Sequence, residues 1–180
     1  AIAGFIDGLQ RAPLPAEVLD AAKQCAVDWF AVCLAGRSDP EVRAIAQVIH
    51  GWRSQGAALA LDGRSGAAAP VALLNGTLSH TLDFDDLHLE SVLHASGPTF
   101  AAACALGLDR GRSGADILAA FVAGFEVGTR FGLGGTGMKL AQQGWHPTSI
   151  LGHFSAAAAC AALLKLDRPA IERALGFAAV

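Results

Sequence analysis

Residues 113–132 read SGADILAAFVAGFEVGTRFG, and their pattern predicts a helix that packs closely against another element. Ser113 and Asp116 have the spacing of a capping box, with Asp in place of the usual Glu. Glycine recurs at every fourth position, at Gly124, Gly128 and Gly132, and a helix face without side chains lets another backbone come near. We therefore expect a close contact with a neighbouring helix inside a protein core.

Further helix starts lie on both sides of this segment, each marked by a proline, a serine or an acidic residue where an apolar helical period begins. The predicted helices run from Pro13–Glu17 to Gly36, from Asp39 to about Trp52, from Pro70 through Leu78, from Ser96 to near Leu108, from Pro147 to about Leu166 and onward from Asp167. A brief strand is predicted within Ala57–Leu61, and no series of strands follows. The pattern indicates an all-α, multi-helix domain that covers residues 1–180.

The composition is unusually apolar. Hydrophobic residues make up 53% of the 180 residues and charged residues only 16%, against about a quarter in typical soluble domains, so we expect much of the chain to be buried in a larger protein or an oligomer. The net charge of −3, with scattered Lys and Arg, argues against a nucleic-acid partner. The four cysteines stand singly among apolar residues, which predicts small core side chains in a reducing compartment, with neither disulfides nor a zinc site.

Residues 140–164 contain no Asp, Glu, Lys or Arg, a span of 25 residues that is long enough to cross a membrane. They also contain Gln142, Gln143, His146, Pro147 and His153, and such a polar load opposes insertion. A buried helix and no membrane partner are therefore expected. The chain begins without methionine and stops inside a predicted helix, so we expect it to be a truncated part of a longer protein.

Residues 81–94, TLDFDDLHLESVLH, concentrate three aspartates, one glutamate and two histidines in an alanine-rich chain. If a helix continued through them, Asp83, Asp86 and Glu90 would share one solvated face. The stretch instead leads through His94 and Ser96 into the start of the next predicted helix. Backbone amides at a helix start attract anions, so these two residues are expected beside a site for a carboxylate.

A metal site is an alternative interpretation of the same stretch. Asp83, Asp85, His88 and His94 are plausible ligands by residue type, because carboxylates and imidazoles suit several divalent metals. Their spacing matches no established metal motif, and residue type without geometry is weak evidence. We therefore predict no metal and keep a metal-dependent hydrolase as an alternative.

A second polar cluster, residues 142–149 with the sequence QQGWHPTS, places His146 directly before a helix-opening proline. The helix dipole favours an uncharged imidazole there, and a neutral imidazole is a competent base. His50, His80 and His153 stand in helical runs without suitable polar neighbours, so we expect them only to pack. The sequence has no Gly-x-Ser-x-Gly segment and no glycine-rich phosphate loop after a strand, which argues against a serine hydrolase and a dinucleotide-binding protein.

Residues 75–86 (NGTLSHTLDFDD), then His94, then residues 144–148 (GWHPT) resemble, in this order, the MmgE/PrpD family. That family includes 2-methylcitrate dehydratase, cis-aconitate decarboxylase and iminodisuccinate epimerase, and the resemblance covers nearly the whole chain. It implies that residues 1–180 are the N-terminal portion of a large helical domain and that a smaller α/β lid domain lies outside them. It also implies a cytoplasmic homodimer that acts on small di- and tricarboxylates without an iron–sulfur cluster or other cofactor.

The resemblance implies that Asp83, His94 and His146 are catalytic residues, and we expect Ser96 and Asp86 to bind the substrate. The sequence departs from the family at Ala95, where a proline is usual, so the local turn is expected to be looser. The active-site lysines of the family fall beyond residue 180.

We expect proton transfer at a carbon next to a carboxylate, with one histidine as base, the other as acid, and Asp83 orienting an imidazole. The residues leave open which histidine has which task. They also leave open whether water is lost, carbon dioxide is lost or a configuration changes, and dehydration like that of 2-methylcitrate dehydratase is preferred. A truncated helical fragment that dimerises and is inactive is the other alternative, and the 180-residue chain alone is expected to be inactive.

Overall fold

The computed structural model describes residues 1–180 and contains nine α-helices and a single two-stranded sheet, which confirms the all-α prediction. The elements, in chain order, are α1 Ile2–Leu9, α2 Ala16–Gly36, α3 Pro40–Gly51, β1 Ala58–Leu59, β2 Ser65–Gly66, α4 Ala68–His80, α5 Ser96–Asp109, α6 Gly114–Gly132, α7 Thr136–Gln142, α8 Pro147–Leu163 and α9 Arg168–Phe177.

The helix starts follow the local sequence signals. Asp39 and Asp167 cap α3 and α9 by accepting hydrogen bonds from backbone N–H groups, and Ser113 and Asp116 form the complete capping box of α6. The two helices that the sequence did not predict, α1 and α7, have no side-chain cap. Because of α7, the loop that follows α6 is only three residues long, from 133 to 135.

Helix α5 lies at the centre and packs against α2, α4, α6 and α8. The largest core cluster contains the fully buried Trp29, Leu74 and Leu78 together with Phe100 and Phe121, whose rings stack with centroids 3.8 Å apart. The other buried residues of α5 are all small, being alanine, glycine, serine or threonine, and these small side chains let several helices approach one axis. The alanine-rich composition thus serves close packing around α5.

Helices α6 and α8 make the most extensive helix–helix contact, and the glycines of α6 permit it. A Cβ atom added at Gly128 would lie 1.9 Å from Ser155 Oγ, and one added at Gly124 would lie 2.5 Å from the Ser155 carbonyl oxygen. Neither distance is possible for a real side chain without movement of α8. The close contact predicted from the spacing of the glycines is therefore confirmed.

The short sheet is a hairpin whose strands pair Ala58 with Gly66 and Leu59 with Ser65. Strand β1 lies inside the range where a brief strand was predicted, and β2 was not predicted. Asn75 of α4 holds this hairpin, since its Oδ1 accepts from the backbone N–H of Leu61 at 2.9 Å and its Nδ2 donates to the Leu59 carbonyl at 3.2 Å. The hairpin is thereby fixed to the helix that ends at His80.

No single helix is sufficiently long and apolar to cross a membrane; the pair α6 and α7 meets the length and composition criteria only together, across a bend of 65°. All four cysteines are free thiols. Burial raises the pKa of Cys33 and of Cys104 to about 12, so both thiols are protonated and unreactive at neutral pH.

Candidate active site

The acidic stretch is a folded loop between α4 and α5. Helix α4 ends at His80, and Asp83 and Val92 then adopt left-handed backbone conformations with φ near +53° and +52°, which are rare for a β-branched residue such as valine. A bridge between His88 and Leu93, with N···O distances of 2.9 and 3.4 Å, folds the loop back on itself. The single helical face considered for Asp83, Asp86 and Glu90 therefore does not form, because the helix stops before them.

Asp85 is the buried centre of this loop. Its side chain is 1% exposed, and its Oδ1 lies 2.9 Å from His80 Nδ1 and 3.3 Å from His94 Nδ1. Its backbone carbonyl lies 3.2 Å from His94 Nδ1 as well. Asp85 Oδ2 is buried without a hydrogen-bond partner beside Gly97 in the first turn of α5. One aspartate therefore orients two imidazoles, His80 through its carboxylate and His94 through its backbone carbonyl.

Asp83 lies on the other side of the same two rings. Its side chain is 76% exposed, and its Oδ1 is 3.9 Å from Nε2 of both His80 and His94. Each imidazole thus points Nδ1 at the buried Asp85 and Nε2 towards the exposed Asp83. The sequence analysis assigned the orienting carboxylate to Asp83, whereas the structure puts Asp85 in hydrogen-bonding contact, because Asp85 is the residue that the loop turns inward.

His146 reaches this cluster from the start of α8, where it is the N-cap residue. Its ring centroid lies 5.3 Å from that of His80 and 6.4 Å from that of His94. The backbone N–H of His94 donates to Thr148 Oγ1 at 3.0 Å, which ties the loop to the first turn of α8. The two sequence motifs, more than fifty residues apart, therefore meet in one cluster of three imidazoles.

His80 is the member of this cluster that the sequence analysis missed. Its ring is 4.9 Å from that of His94, and the prediction that it only packs is wrong. The hydrogen bond that His80 donates to Asp85 raises the pKa of His80, against the lowering effect of burial, and the nearby charges of Asp85 and Asp83 add to the increase. The signal available in the sequence was the pattern His-x-x-Asp-x-Asp across the end of a helix, residues 80–85.

An open cavity of about 630 Å³ lies next to the cluster, between α4, α5 and α8. Its wall includes His80, Asp85 and His146, and its polar lining continues along α8. Most of the rest is contributed by small or hydroxyl-bearing side chains, namely those of Ala72, Gly76, Thr77, Gly97, Ala101, Ala102, Thr148, Ser149, Gly152 and Ala156. His94 does not line the cavity and joins the cluster through His80 and Asp85.

Ser96 and Asp86, predicted to bind substrate, bind each other. Asp86 Oδ1 accepts from the Ser96 backbone N–H at 3.1 Å, and Oδ2 accepts from Ser96 Oγ at 2.8 Å. Burial raises the pKa of Asp86, while these hydrogen bonds lower it. The start of α5 is thus capped by a carboxylate of the chain itself, and neither residue lines the cavity. Their assignment to the substrate stays a prediction that this arrangement does not support.

The remaining histidines have separate environments. His153 is exposed and lines the cavity. His50 Nε2 lies 2.6 Å from Asp62 Oδ2, so its expected lack of polar neighbours is wrong. His88 Nδ1 lies 2.9 Å from Ser91 Oγ, and its ring meets Phe125 edge-on.

The ligand types needed for a metal are present in the cluster itself. His80, Asp83, Asp85 and His94 each offer a ligand atom, and these atoms all lie within 4.8 Å of one another. Three of the four residues named as possible ligands from the sequence are among them. The fourth, His88, faces Ser91 instead and belongs to a different part of the loop.

Comparison with known proteins agrees with the resemblance seen in the sequence. The MmgE/PrpD N-terminal domain profile matches residues 1–180. The cis-aconitate decarboxylase-like protein oryM of Aspergillus oryzae is 32% identical over 98% of this chain and 38% of its own length. The cis-aconitate decarboxylases of Aspergillus terreus and Mus musculus are 29% and 28% identical, each over 98% of this chain and 37% of their own length. The chain thus spans under two fifths of the length of these relatives.

Proposed function

This chain belongs to the MmgE/PrpD family, and on that premise we propose that the protein containing it is a lyase that acts next to a carboxylate of a small di- or tricarboxylate. The observation that carries the proposal is that Asp85 contacts His80 and His94 while His146 packs against His80, all beside one cavity. His80 and His146 line this cavity and His94 packs against His80, which supports acid–base work by these imidazoles on a molecule bound there.

The histidines of the cluster suit different roles in acid–base catalysis. His80, whose pKa is raised by Asp85, is the imidazole best suited to carry a positive charge, to hold a substrate carboxylate and to donate a proton. His146 is the N-cap residue of α8 and lines the cavity next to His80, and we assign it the role of base. His94 and Asp83 complete the set: His94 packs against His80, and Asp83 faces both Nε2 atoms at 3.9 Å.

Decarboxylation is the reaction that we propose first, because the curated relatives are named as cis-aconitate decarboxylases or as similar to one. In that reaction the bond to one carboxylate breaks and carbon dioxide leaves. The electron pair left on the substrate carbon takes a proton from an imidazolium. The dehydration preferred from the sequence uses the same groups, since a base removes the proton next to a carboxylate and an acid protonates the departing hydroxyl.

A substrate panel with the full-length protein tests the proposal. We expect cis-aconitate to release carbon dioxide, measured directly, and 2-methylcitrate to react more slowly or not at all. Conversion of 2-methylcitrate to its unsaturated product, without carbon dioxide, would overturn decarboxylation and leave the lyase proposal standing. Absence of any reaction with both, and with related di- and tricarboxylates, would overturn the lyase proposal itself.

The role of His146 is tested by His146→Gln in the full-length protein. We expect turnover to fall by a factor on the order of 10² to 10⁴, because positioned acid–base groups contribute that much, while the melting temperature stays near that of the parent. His88→Gln is the matched control, since this imidazole contacts Ser91 and Phe125 away from the cavity. Full activity of the His146 variant would contradict the assignment.

A metal-dependent reaction is the second candidate, because four ligand-type side chains of the cluster lie within reach of one ion. We propose that the reaction needs no metal, since Asp85 already orients His80 and His94 for proton transfer. Dialysis of the purified protein against a chelator should leave turnover unchanged. Loss of turnover that returns on addition of one divalent metal would favour the metal alternative.

The homodimer and the cytoplasmic location implied by the resemblance stay predictions.

A further inference from the structure

Three arginines line a second cavity, which shares no residue with the first. This cavity, of about 330 Å³, lies where the Arg43 face of α3 meets the turn of the hairpin. Three arginines and three other polar residues line it: Arg37, Arg43, Gln47, His50, Asp62 and Arg64. An adjoining hollow of about 50 Å³ shares His50 and Arg64 and adds Arg53.

The arginines of this cavity have no ion pair within the chain. Arg11, Arg130 and Arg168 each lie within 3.1 Å of a carboxylate, whereas no such pair forms at Arg37, Arg43 or Arg64. The one acidic residue in the lining is engaged by its own neighbours: Asp62 Oδ2 contacts His50 at 2.6 Å, and its Oδ1 accepts from the backbone N–H of Arg64 at 3.1 Å. The cavity therefore keeps an excess of positive charge in a chain whose net charge is −3.

The walls of the cavity hold the charged groups in place. Arg43 Nη1 donates to the Ser38 carbonyl at 2.9 Å, and Arg37 Nη2 donates to the Asp62 carbonyl at 3.4 Å. Each guanidinium has five N–H donors, so most donors on both side chains stay free. The hairpin turn that presents Arg64 is tied to α3 by the contact between His50 and Asp62 and to α4 by Asn75.

We propose that this cavity, named here the arginine cavity, binds a small polyanion with two or more negative charges. Guanidinium groups present paired donors that match the oxygens of phosphates and carboxylates. A volume near 300 Å³ suits a small molecule. A phosphate compound and a polycarboxylate share this chemistry, and the experiment separates them. The inference does not rest on the proposed function, because the arginine cavity lies apart from the imidazole cluster.

Calorimetric titration of the full-length protein, at an ionic strength of about 0.15 M so that weak surface attraction is screened, tests the proposal. Pyrophosphate is the phosphate probe and citrate is the polycarboxylate probe. We expect saturable binding of at least one probe. The variant Arg43→Gln/Arg64→Gln should weaken that binding by a factor on the order of 10 or more, because charge-assisted hydrogen bonds are lost. Arg173→Gln, the matched control at another exposed arginine without an ion pair, should bind like the parent.

Two further variants make the outcome decisive. Arg43→Lys/Arg64→Lys keeps the charge but loses the paired donors, so its affinity should lie between those of the parent and the glutamine variant. If the glutamine variant has a lowered melting temperature, the lysine variant takes its place in the comparison with the parent. The citrate titration is repeated with His146→Gln. Because His146 lines the other cavity, the affinity of the arginine cavity for citrate should be unchanged in this variant. Binding of neither probe, or equal binding by parent and glutamine variant, would overturn the proposal.

Discussion

At the scale of single residues, His80 and Asp85 show how the three-dimensional surroundings of a side chain determine its chemical role. His80 ends an apolar helix, and only the aspartates three and five residues later distinguish it in sequence from His153. The loop then brings Asp85 back to within 2.9 Å of its ring and buries the carboxylate almost completely. A histidine that contacts a buried carboxylate stays protonated to higher pH, and this contact makes His80 a candidate acid.

Substitution of Asp85 tests this coupling. Asp85→Asn should lower the pKa of His80, because the hydrogen bond to the carboxylate is the main cause of the raised value. Asp83→Asn should lower it much less, since Asp83 is exposed and its Oδ1 lies 3.9 Å away. Imidazole resonances followed by NMR across the pH range measure both shifts. An unchanged His80 titration in Asp85→Asn would contradict the role given to Asp85.

The same contact predicts how stability depends on pH. The folded-state pKa of His80 lies above its unfolded value of about 6.5. Its contribution to the free energy of unfolding is therefore fully present below about pH 6.5 and is lost as the pH rises through the folded-state value. Denaturation experiments should show a difference between parent and Asp85→Asn that shrinks over this interval. A difference that grows as the pH rises there would contradict the account.

At the scale of secondary-structure elements, α6 and α8 show what the sequence could predict. Caps, prolines and glycine spacing are local signals, and they located seven of the nine helices and the close contact at Gly128. The convergence at Asp85 depends instead on the path of a loop with two left-handed residues. Aspartate tolerates that conformation at many positions and valine disfavours it, so residues alone could not show which aspartate turns inward.

Replacement of a glycine in α6 tests the packing against α8. Gly128→Ala should destabilise the fold by about 1–3 kcal/mol, because the added methyl group would overlap Ser155 Oγ and crowd Leu93. Gly4→Ala in α1 is the matched control, since no atom lies near its added Cβ, and it should be neutral or stabilising by up to about 1 kcal/mol. Urea denaturation measures both changes. Equal effects of the two substitutions would show that the contact at Gly128 is not tight.

At the scale of the whole molecule, the chain contributes the imidazole cluster and the cavity beside it. The cluster of histidines and aspartates comes from the end of α4, the loop before α5 and the start of α8. The cavity beside it is open. The relatives are more than twice as long, and the resemblance implies further active-site lysines beyond residue 180. Catalysis is therefore expected to need the longer protein.

Comparison of the 180-residue chain with the full-length protein tests this expectation. The shorter chain should show no measurable turnover of cis-aconitate under conditions in which the full-length protein is active. Circular dichroism and cooperative thermal unfolding establish that the shorter chain is folded during the assay. Turnover by the shorter chain would show that the residues described here are sufficient for catalysis.

The central claim is that His80, His94 and His146 belong to one site for a small carboxylate. Long-range ¹H–¹⁵N spectra of the full-length protein test it directly, with resonances assigned by single His→Gln substitutions, during titration with propane-1,2,3-tricarboxylate, a saturated tricarboxylate. The account predicts that the ring nitrogens of all three histidines shift together with one dissociation constant. A shift at His146 alone, or separate dissociation constants for His146 and the pair on Asp85, would contradict it.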